Sequence, residues 1–171
     1  MSDDSQEFLG QEFLTWLWFY GETNNWCIDI PNMGEIYYGI DSLLVMEEDE
    51  NIGCTQRLHG PAPTNSPEAD AALKDGKKIT TLRVMIEYDE QIWHATWKAK
   101  TFNFSSVKLM QPTTNDQEDR FQELALGIET ISAIFDKIYD IFLQTRLSDT
   151  WGKETLPQMQ QWVQTRTPIQ N

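Results

Sequence analysis

The side chains that most often carry catalysis or bind metals are few and scattered in this sequence. It contains two histidines, His59 and His94, and two cysteines, Cys27 and Cys54. Cys54 and His59 lie five residues apart, but no further residue completes a four-ligand metal set. The sequence also lacks phosphate-binding loops, dinucleotide-binding glycine motifs and the usual hydrolase motifs. We therefore expect a protein that is not an enzyme and that holds neither a metal nor a cofactor.

Acidic residues dominate the charge. The 27 acidic and 13 basic residues give a net charge of −14, which repels phosphate backbones at long range unless the positive groups are clustered. The densest acidic group, Glu47–Glu50, lacks the glycine and the regular spacing of a calcium loop, so we interpret it as a solvated hairpin tip. The acidic excess serves solubility, indicates a basic partner, or confines any nucleic-acid contact to one small patch.

One region reverses this balance. Residues 74–108 hold seven of the 13 basic residues and only four acidic ones. Clustered basic side chains favour phosphate contacts, although a sheet face with lysines in solvent gives the same pattern. The candidate nucleic-acid-binding residues are Lys74, Lys77, Lys78, Arg83, Lys98 and Lys100.

The element that organises the rest of the chain is a long helix predicted over residues 118–147. Large apolar residues recur there every seven positions, another lies three residues after each of the first three, and no proline interrupts the run. So broad a stripe needs a sheet face or several elements to cover it. The predicted buried residues are Phe121, Leu124, Ile128, Ile131, Phe135, Ile138 and Phe142.

A second helix is predicted over residues 5–20, and it is apolar nearly all round. Such a helix is either buried in a core or lies at an interface. Core packing is the favoured interpretation, and a partner surface is the alternative. That interface would consist of Phe8, Trp16, Trp18 and Phe19.

Between these helices the sequence has strand patterns. Alternation from Leu82 to Tyr88 and from Trp93 to Ala99, around Asp89-Glu90, predicts a β-hairpin. Shorter strands are predicted near residues 26–30, 35–48 and 52–58, and a short helix starts after Ser66. The expected fold is α+β, with an antiparallel sheet of about five to seven strands against the long C-terminal helix and the N-terminal helix. We expect one domain over residues 1–171, frayed at 1–4 and 167–171.

The expected location is the cytoplasm. No apolar run is long enough to span a bilayer, and the N-terminus lacks the basic region of a signal peptide. In a reducing cytosol the two cysteines are expected to be small buried thiols rather than a disulfide.

Several segments resemble the recombination-associated protein RdgC family. The resemblance begins at Gly76-Lys77 before the 79–97 hairpin, continues through Val107-Lys108-Leu109, and includes the acidic entry 116–120 into the terminal helix. The segments FLGQEFLTWLWF (8–19) and RLSDTW (146–151) are similar to motifs of a shorter subgroup.

This resemblance implies a non-enzymatic protein that binds DNA without marked sequence preference. Proteins of that family form ring-shaped dimers around duplex DNA and restrain recombinase loading, so we expect a DNA-associated homodimer that modulates recombination. The alternative, suggested by the acidic excess and the first helix, is an acidic interaction module: an adaptor, inhibitor or DNA-mimic regulator that binds a basic protein partner.

Overall fold

The predicted α+β fold is confirmed: in the part of the chain that the structure describes, four α-helices accompany a six-stranded antiparallel sheet. The structure is a computed structural model that describes residues 3–48 and 54–167, with side chains described from Gln6 onward. The elements are α1 (Asp3–Thr23), β1 (Cys27–Ile30), β2 (Gly34–Glu47), β3 (Gln56–Gly60), α2 (Pro67–Lys74), β4 (Lys78–Tyr88), β5 (Gln91–Lys98), β6 (Asn103–Lys108), α3 (Gln117–Arg146) and α4 (Leu156–Thr165).

The sheet is built around the long strand β2. Strand order is β1-β2-β4-β5-β6, and β3 also pairs with β2. Strand β4 pairs along one edge of β2, and strands β1 and β3 share the other edge. On β2, the pairing with β1 extends to Tyr37, and the pairing with β3 begins at Ser42. A bulge between Ile40 and Leu44, with Ser42 at φ 58°, bends β2 between these two pairings.

The predicted hairpin is confirmed as β4 and β5. Asp89 and Glu90 form its two-residue turn, with φ values of 50° and 61°, as a type I′ turn requires. Trp93, Ala95 and Trp97 point from β5 into the core, each at most 4% exposed. Alternation along β5 therefore leaves the residues between them on the other face.

Helix α1 is buried on almost every side because it lies against the sheet and two other helices. Trp16 and Trp18 are at most 1% exposed and Phe19 is 8% exposed. Phe13 and Trp16 contact Phe142 of α3, at ring-centroid distances of 5.2 and 5.4 Å. The core interpretation of this helix holds: Trp16, Trp18 and Phe19 cannot serve as a partner interface, and of the four residues assigned to it only Phe8 is exposed.

Gly10 explains how closely α1 approaches the sheet. A Cβ at this position would lie 2.2 Å from the carbonyl oxygen of Ala99, just after β5. No side chain fits there, so Gly10 permits the close contact between α1 and the chain at Ala99. A glycine within a helix lowers helix stability by about 1 kcal/mol relative to alanine.

Helix α3 runs unbroken from Gln117 to Arg146, as predicted, and Asp116 caps it by accepting from the amides of Glu118 and Asp119. The predicted seam holds from Ile131 to Phe142, where Ile131, Phe135, Ile138 and Phe142 are buried. In the first half of the helix the prediction is wrong: Phe121 is 73% exposed and Ile128 50% exposed, and Leu124 is only half-buried. A 30-residue helix is about 45 Å long and outruns the layer beneath it.

The cysteines only partly match their prediction. Cys27 is half-buried and Cys54 is exposed, and both are free thiols. Cys54 lies just before β3 rather than inside a strand, so it is not the buried thiol expected. Residues 49–53, which include two of the acidic run, and the termini at 1–2 and 168–171 lie outside the described residues. Within residues 3–48 and 54–167, no helix is both long and apolar enough to cross a membrane.

Tyr38 links the sheet to α1, and its ionisation makes the protein less stable at alkaline pH. Its hydroxyl donates to the Leu17 carbonyl at 2.8 Å, and burial raises the pKa of that hydroxyl well above its usual range. The unfolded chain therefore ionises first, so this contribution is intact below about pH 10 and is lost as the pH rises further.

We expect Tyr38→Phe to lower the free energy of unfolding by about 1 kcal/mol at neutral pH and to flatten the alkaline loss. Urea unfolding of both proteins at about pH 7 and about pH 10.5 checks this. Tyr37→Phe is the control, because Tyr37 is 49% exposed. An alkaline loss in Tyr38→Phe as steep as in the wild type would contradict the assignment to Tyr38.

Candidate nucleic-acid interface

The sheet face opposite the helices, called here the open face, carries a row of side chains across five strands. Residues directly opposite each other in paired strands project to the same side. Leu44, Leu82 and Trp97 form one such set on the core side. Successive residues of a strand point to opposite faces, so the set formed by the adjacent residues lies on the open face. From β3 to β6 it consists of Arg57, Val45, Thr81, Lys98 and Asn103.

Two further rows lie beside this one. One row consists of Arg83 of β4, Thr96 of β5 and Ser105 of β6. The other consists of Met85 of β4, His94 of β5 and Lys108 of β6. Strands are about 4.8 Å apart and same-face residues about 6.7 Å apart along a strand. Four permanent cations therefore occupy one half of the open face. Arg57, Arg83 and Lys98 lie towards its end, and Lys108 lies in the row of His94.

The central cation, Arg83, is held by two hydrogen bonds, and the outer ones are exposed. A terminal nitrogen (Nη1) of Arg83 donates to Thr96 Oγ1 at 3.2 Å and to the Ser106 carbonyl at 3.3 Å. Lys98 and Arg57 are exposed. Their partners across the strands are Thr81, Asn103 and Val45. Among the described residues, no acidic side chain lies directly opposite Lys98 or Arg57 in a paired strand, which favours an interaction of their charge with a ligand.

The opposite end of the open face is acidic. Glu87 lies opposite Tyr37 and Ile92 there, and the negative charge of nearby Glu35 raises the pKa of Tyr37. Between the two ends, His94 Nδ1 lies 3.2 Å from a carboxylate oxygen of Asp41. The open face is therefore polarised, with its basic part confined to about half of its area.

The six predicted basic residues do not form a single cluster. Arg83 and Lys98 lie in the basic part of the open face, and Lys100 is exposed in the turn that follows β5. Lys78 lies opposite Glu47, an acidic partner. The Lys74 and Lys77 ammonium groups instead donate to backbone carbonyls, of Arg166 at 2.8 Å and of Cys54 at 3.3 Å.

Sequence reasoning missed two members of the basic rows, Arg57 and Lys108. Arg57 precedes the basic region by 17 residues and joins it only because β3 pairs with β2, which pairs with β4. Lys108 lies within the region, and the signal that could have placed it was the alternation of β6 against β5. In the described ranges, no three His, Cys, Asp or Glu side chains converge on a common metal position.

Comparisons with protein-family models, with curated proteins and with solved structures found no match to this chain. The resemblance to the RdgC family stays a prediction that rests on the motifs quoted above.

Proposed function

We propose that this protein binds duplex DNA, without sequence preference, through the basic part of its open face. The observation that carries the proposal is the grouping of Arg57, Arg83, Lys98 and Lys108 on that face among uncharged partners, in a chain whose net charge is −14. Acidic residues elsewhere repel phosphates, so they restrict the nucleic acid to this face.

Binding would proceed by charge neutralisation and counterion release. If each of the four cations neutralises one phosphate, the slope of log affinity against log salt concentration is about −3.6 for double-stranded DNA. Thr81, Ser105 and Asn103 lie between the cations and offer neutral hydrogen bonds to phosphate oxygens.

The surroundings of the cations favour backbone contacts over base recognition. Single-strand binders stack bases on aromatic side chains, whereas the exposed aromatic residue Tyr37 lies at the acidic end of the open face. The basic part is lined by cations, hydroxyls and an amide. These groups read phosphate positions, which are the same in every sequence.

The resemblance to the RdgC family supports a more specific role for this binding. It favours a non-enzymatic, cytoplasmic homodimer that modulates recombination by occupying DNA. Two basic faces in one dimer would double the number of neutralised phosphates and steepen the salt dependence.

Charge reversal tests the proposed interface. We expect Arg57→Glu with Lys98→Glu to weaken binding to a duplex oligonucleotide by about one to two orders of magnitude and to reduce the salt slope by about 2. Fluorescence anisotropy over a series of salt concentrations gives both quantities. The matched control is Lys137→Glu with Lys153→Glu, which makes the same charge change at exposed helical positions and should change binding much less.

A third variant separates the two halves of the predicted basic region. Lys74→Glu with Lys77→Glu makes the same charge change where the amines contact backbone carbonyls. We expect it to behave like the control. If it weakens binding more than the Arg57/Lys98 variant does, the DNA lies elsewhere. If the wild-type protein does not bind duplex DNA even at low salt, the proposed function is wrong.

A further inference from the structure

The first half of α3 and the segments beside it expose an unusual amount of apolar surface. Among the described residues, five of the nine exposed large hydrophobic side chains lie in this area. Their exposures run from 40% to 73%. Single exposed hydrophobic residues are normal, whereas a group of them in one area is typical of an interaction surface. They are Ile92, Met110, Phe121, Leu126 and Ile128.

A groove of about 470 Å³ lies beside Leu126. Its sides are α3, the β4–β5 turn at 88–91 and the connector at 109–113. Trp93 and Leu109 form its floor beneath Gly127, where a Cβ would contact both at 3.6 and 3.7 Å. The missing side chain at Gly127 helps to keep this part of the groove open.

The walls of the groove are already fixed in the unbound protein. The Glu123 carboxylate of α3 accepts from the Thr113 amide at 2.8 Å and from its hydroxyl at 3.0 Å. The Ile92 amide donates to the Met110 sulfur at 3.3 Å. A preformed groove does not lose binding free energy to ordering its own walls.

The rim of the groove is acidic. Asp89, Glu90 and Glu123 line it and are exposed, and Glu118 and Asp119 continue the negative charge along the first turn of α3. An apolar floor with an acidic rim complements a helix that has one apolar face and flanking lysines or arginines. It repels nucleic acid, and it disfavours a second copy of this chain, whose own α3 carries the same charge.

We propose that this groove binds a basic amphipathic helix of a partner protein. The apolar face of that helix would cover Leu126 and Met110, and its cations would face Asp89, Glu90 and Glu123. The site is separate from the basic part of the open face, so the protein would bind DNA and a basic partner at the same time. The inference does not depend on the DNA-binding proposal.

The probe is a labelled model peptide of about 18 leucine and lysine residues with helical amphipathic spacing, compared with a scrambled peptide of the same composition. We expect the amphipathic peptide to bind at about micromolar concentration and the scrambled peptide at least ~10-fold more weakly. Leu126→Lys should weaken binding of the amphipathic peptide about 10-fold or more. The matched control is Leu147→Lys, which makes the same change at the other end of α3, where Leu147 is 81% exposed.

A second variant guards against an effect of Leu126→Lys on folding. Asp89→Asn with Glu90→Gln removes two rim charges and should weaken peptide binding severalfold at low salt. Equal binding of the scrambled peptide, or equal losses in the Leu126 and Leu147 variants, would overturn the proposal. So would a wild-type dimer in sedimentation that Leu126→Lys dissociates, since that result assigns the groove to a second copy of the chain.

Discussion

Arg166→Ala is expected to lower the free energy of unfolding by about 3–5 kcal/mol, because it leaves the buried carboxylate of Asp70 without its cation. Arg166 is 8% exposed. Its Nε donates to Asp70 at 2.6 Å, and a terminal nitrogen donates to the Glu22 carboxylate. The other terminal nitrogen donates to the Thr64 carbonyl at 2.6 Å.

The site around Arg166 cannot relax easily when the side chain is removed. The Asp70 side chain is 4% exposed, and its second carboxylate oxygen already lacks a hydrogen-bond partner. The guanidinium also lies over the rings of Trp18 and Trp162, at 4.4 and 5.1 Å from their centroids. One side chain therefore joins α1, α2 and the end of α4, and its removal adds a cavity to the loss of charge.

Chemical denaturation of Arg166→Ala measures this effect. Arg120→Ala, at an exposed position in the first turn of α3, is the control and should change the free energy of unfolding by less than about 0.5 kcal/mol. Adding Asp70→Ala to Arg166→Ala should recover part of the loss, because the stranded carboxylate is then gone. A loss below about 1 kcal/mol in Arg166→Ala would show that the buried ion pairs do not hold these helices together.

The second large effect separates two residues that are equivalent in sequence. Phe121 and Phe142 occupy the same position of the seven-residue pattern, three repeats apart. Phe142 is fully buried and contacts the rings of Phe13, Trp16 and Trp151 at 5.2, 5.4 and 6.0 Å. Phe142→Ala is expected to cost about 3–5 kcal/mol, and Phe121→Ala, at a residue 73% exposed, less than about 0.5 kcal/mol.

Thermal and urea unfolding of the two alanine variants provides the comparison. Both substitutions remove the same side chain from the same helix, so helix propensity cancels and only burial differs. Similar losses in both variants would mean that the first turns of α3 are covered in solution, for instance by a second copy of the chain.

The seven-residue periodicity predicted the bounds of α3 well, but it predicted only part of the pattern of buried residues. A seven-residue repeat of large apolar residues specifies a helix with one apolar face, and this holds from Gln117 to Arg146. The repeat carries no information on how far the covering layer extends. Gly127 is buried against Trp93 and Leu109, whereas the adjacent Ile128 faces solvent and Phe121 lies closer to the start of the helix and is also exposed. Only tertiary structure distinguishes these two residues from Phe135 and Phe142.

The candidate interface was half predictable for a related reason. Arg83 and Lys98 belong to a hairpin whose alternation and turn are visible in the sequence. Arg57 joins them through pairings of β2 with both β3 and β4, which no local pattern encodes. Lys74 and Lys77 belong to the same linear charge cluster, yet the end of α2 directs their amines to the carbonyls of Arg166 and Cys54.

The most direct test of the proposed function is to map DNA onto the folded protein by amide chemical shifts during titration with a duplex oligonucleotide. We expect the largest shifts along β3, β4, β5 and β6, centred on the amides of Arg57, Arg83, Lys98 and Lys108, and we expect them to disappear when salt is raised. Shifts centred on α2 near Lys74, shifts along α3, or no shifts at low salt would contradict a nucleic-acid interface on the open face.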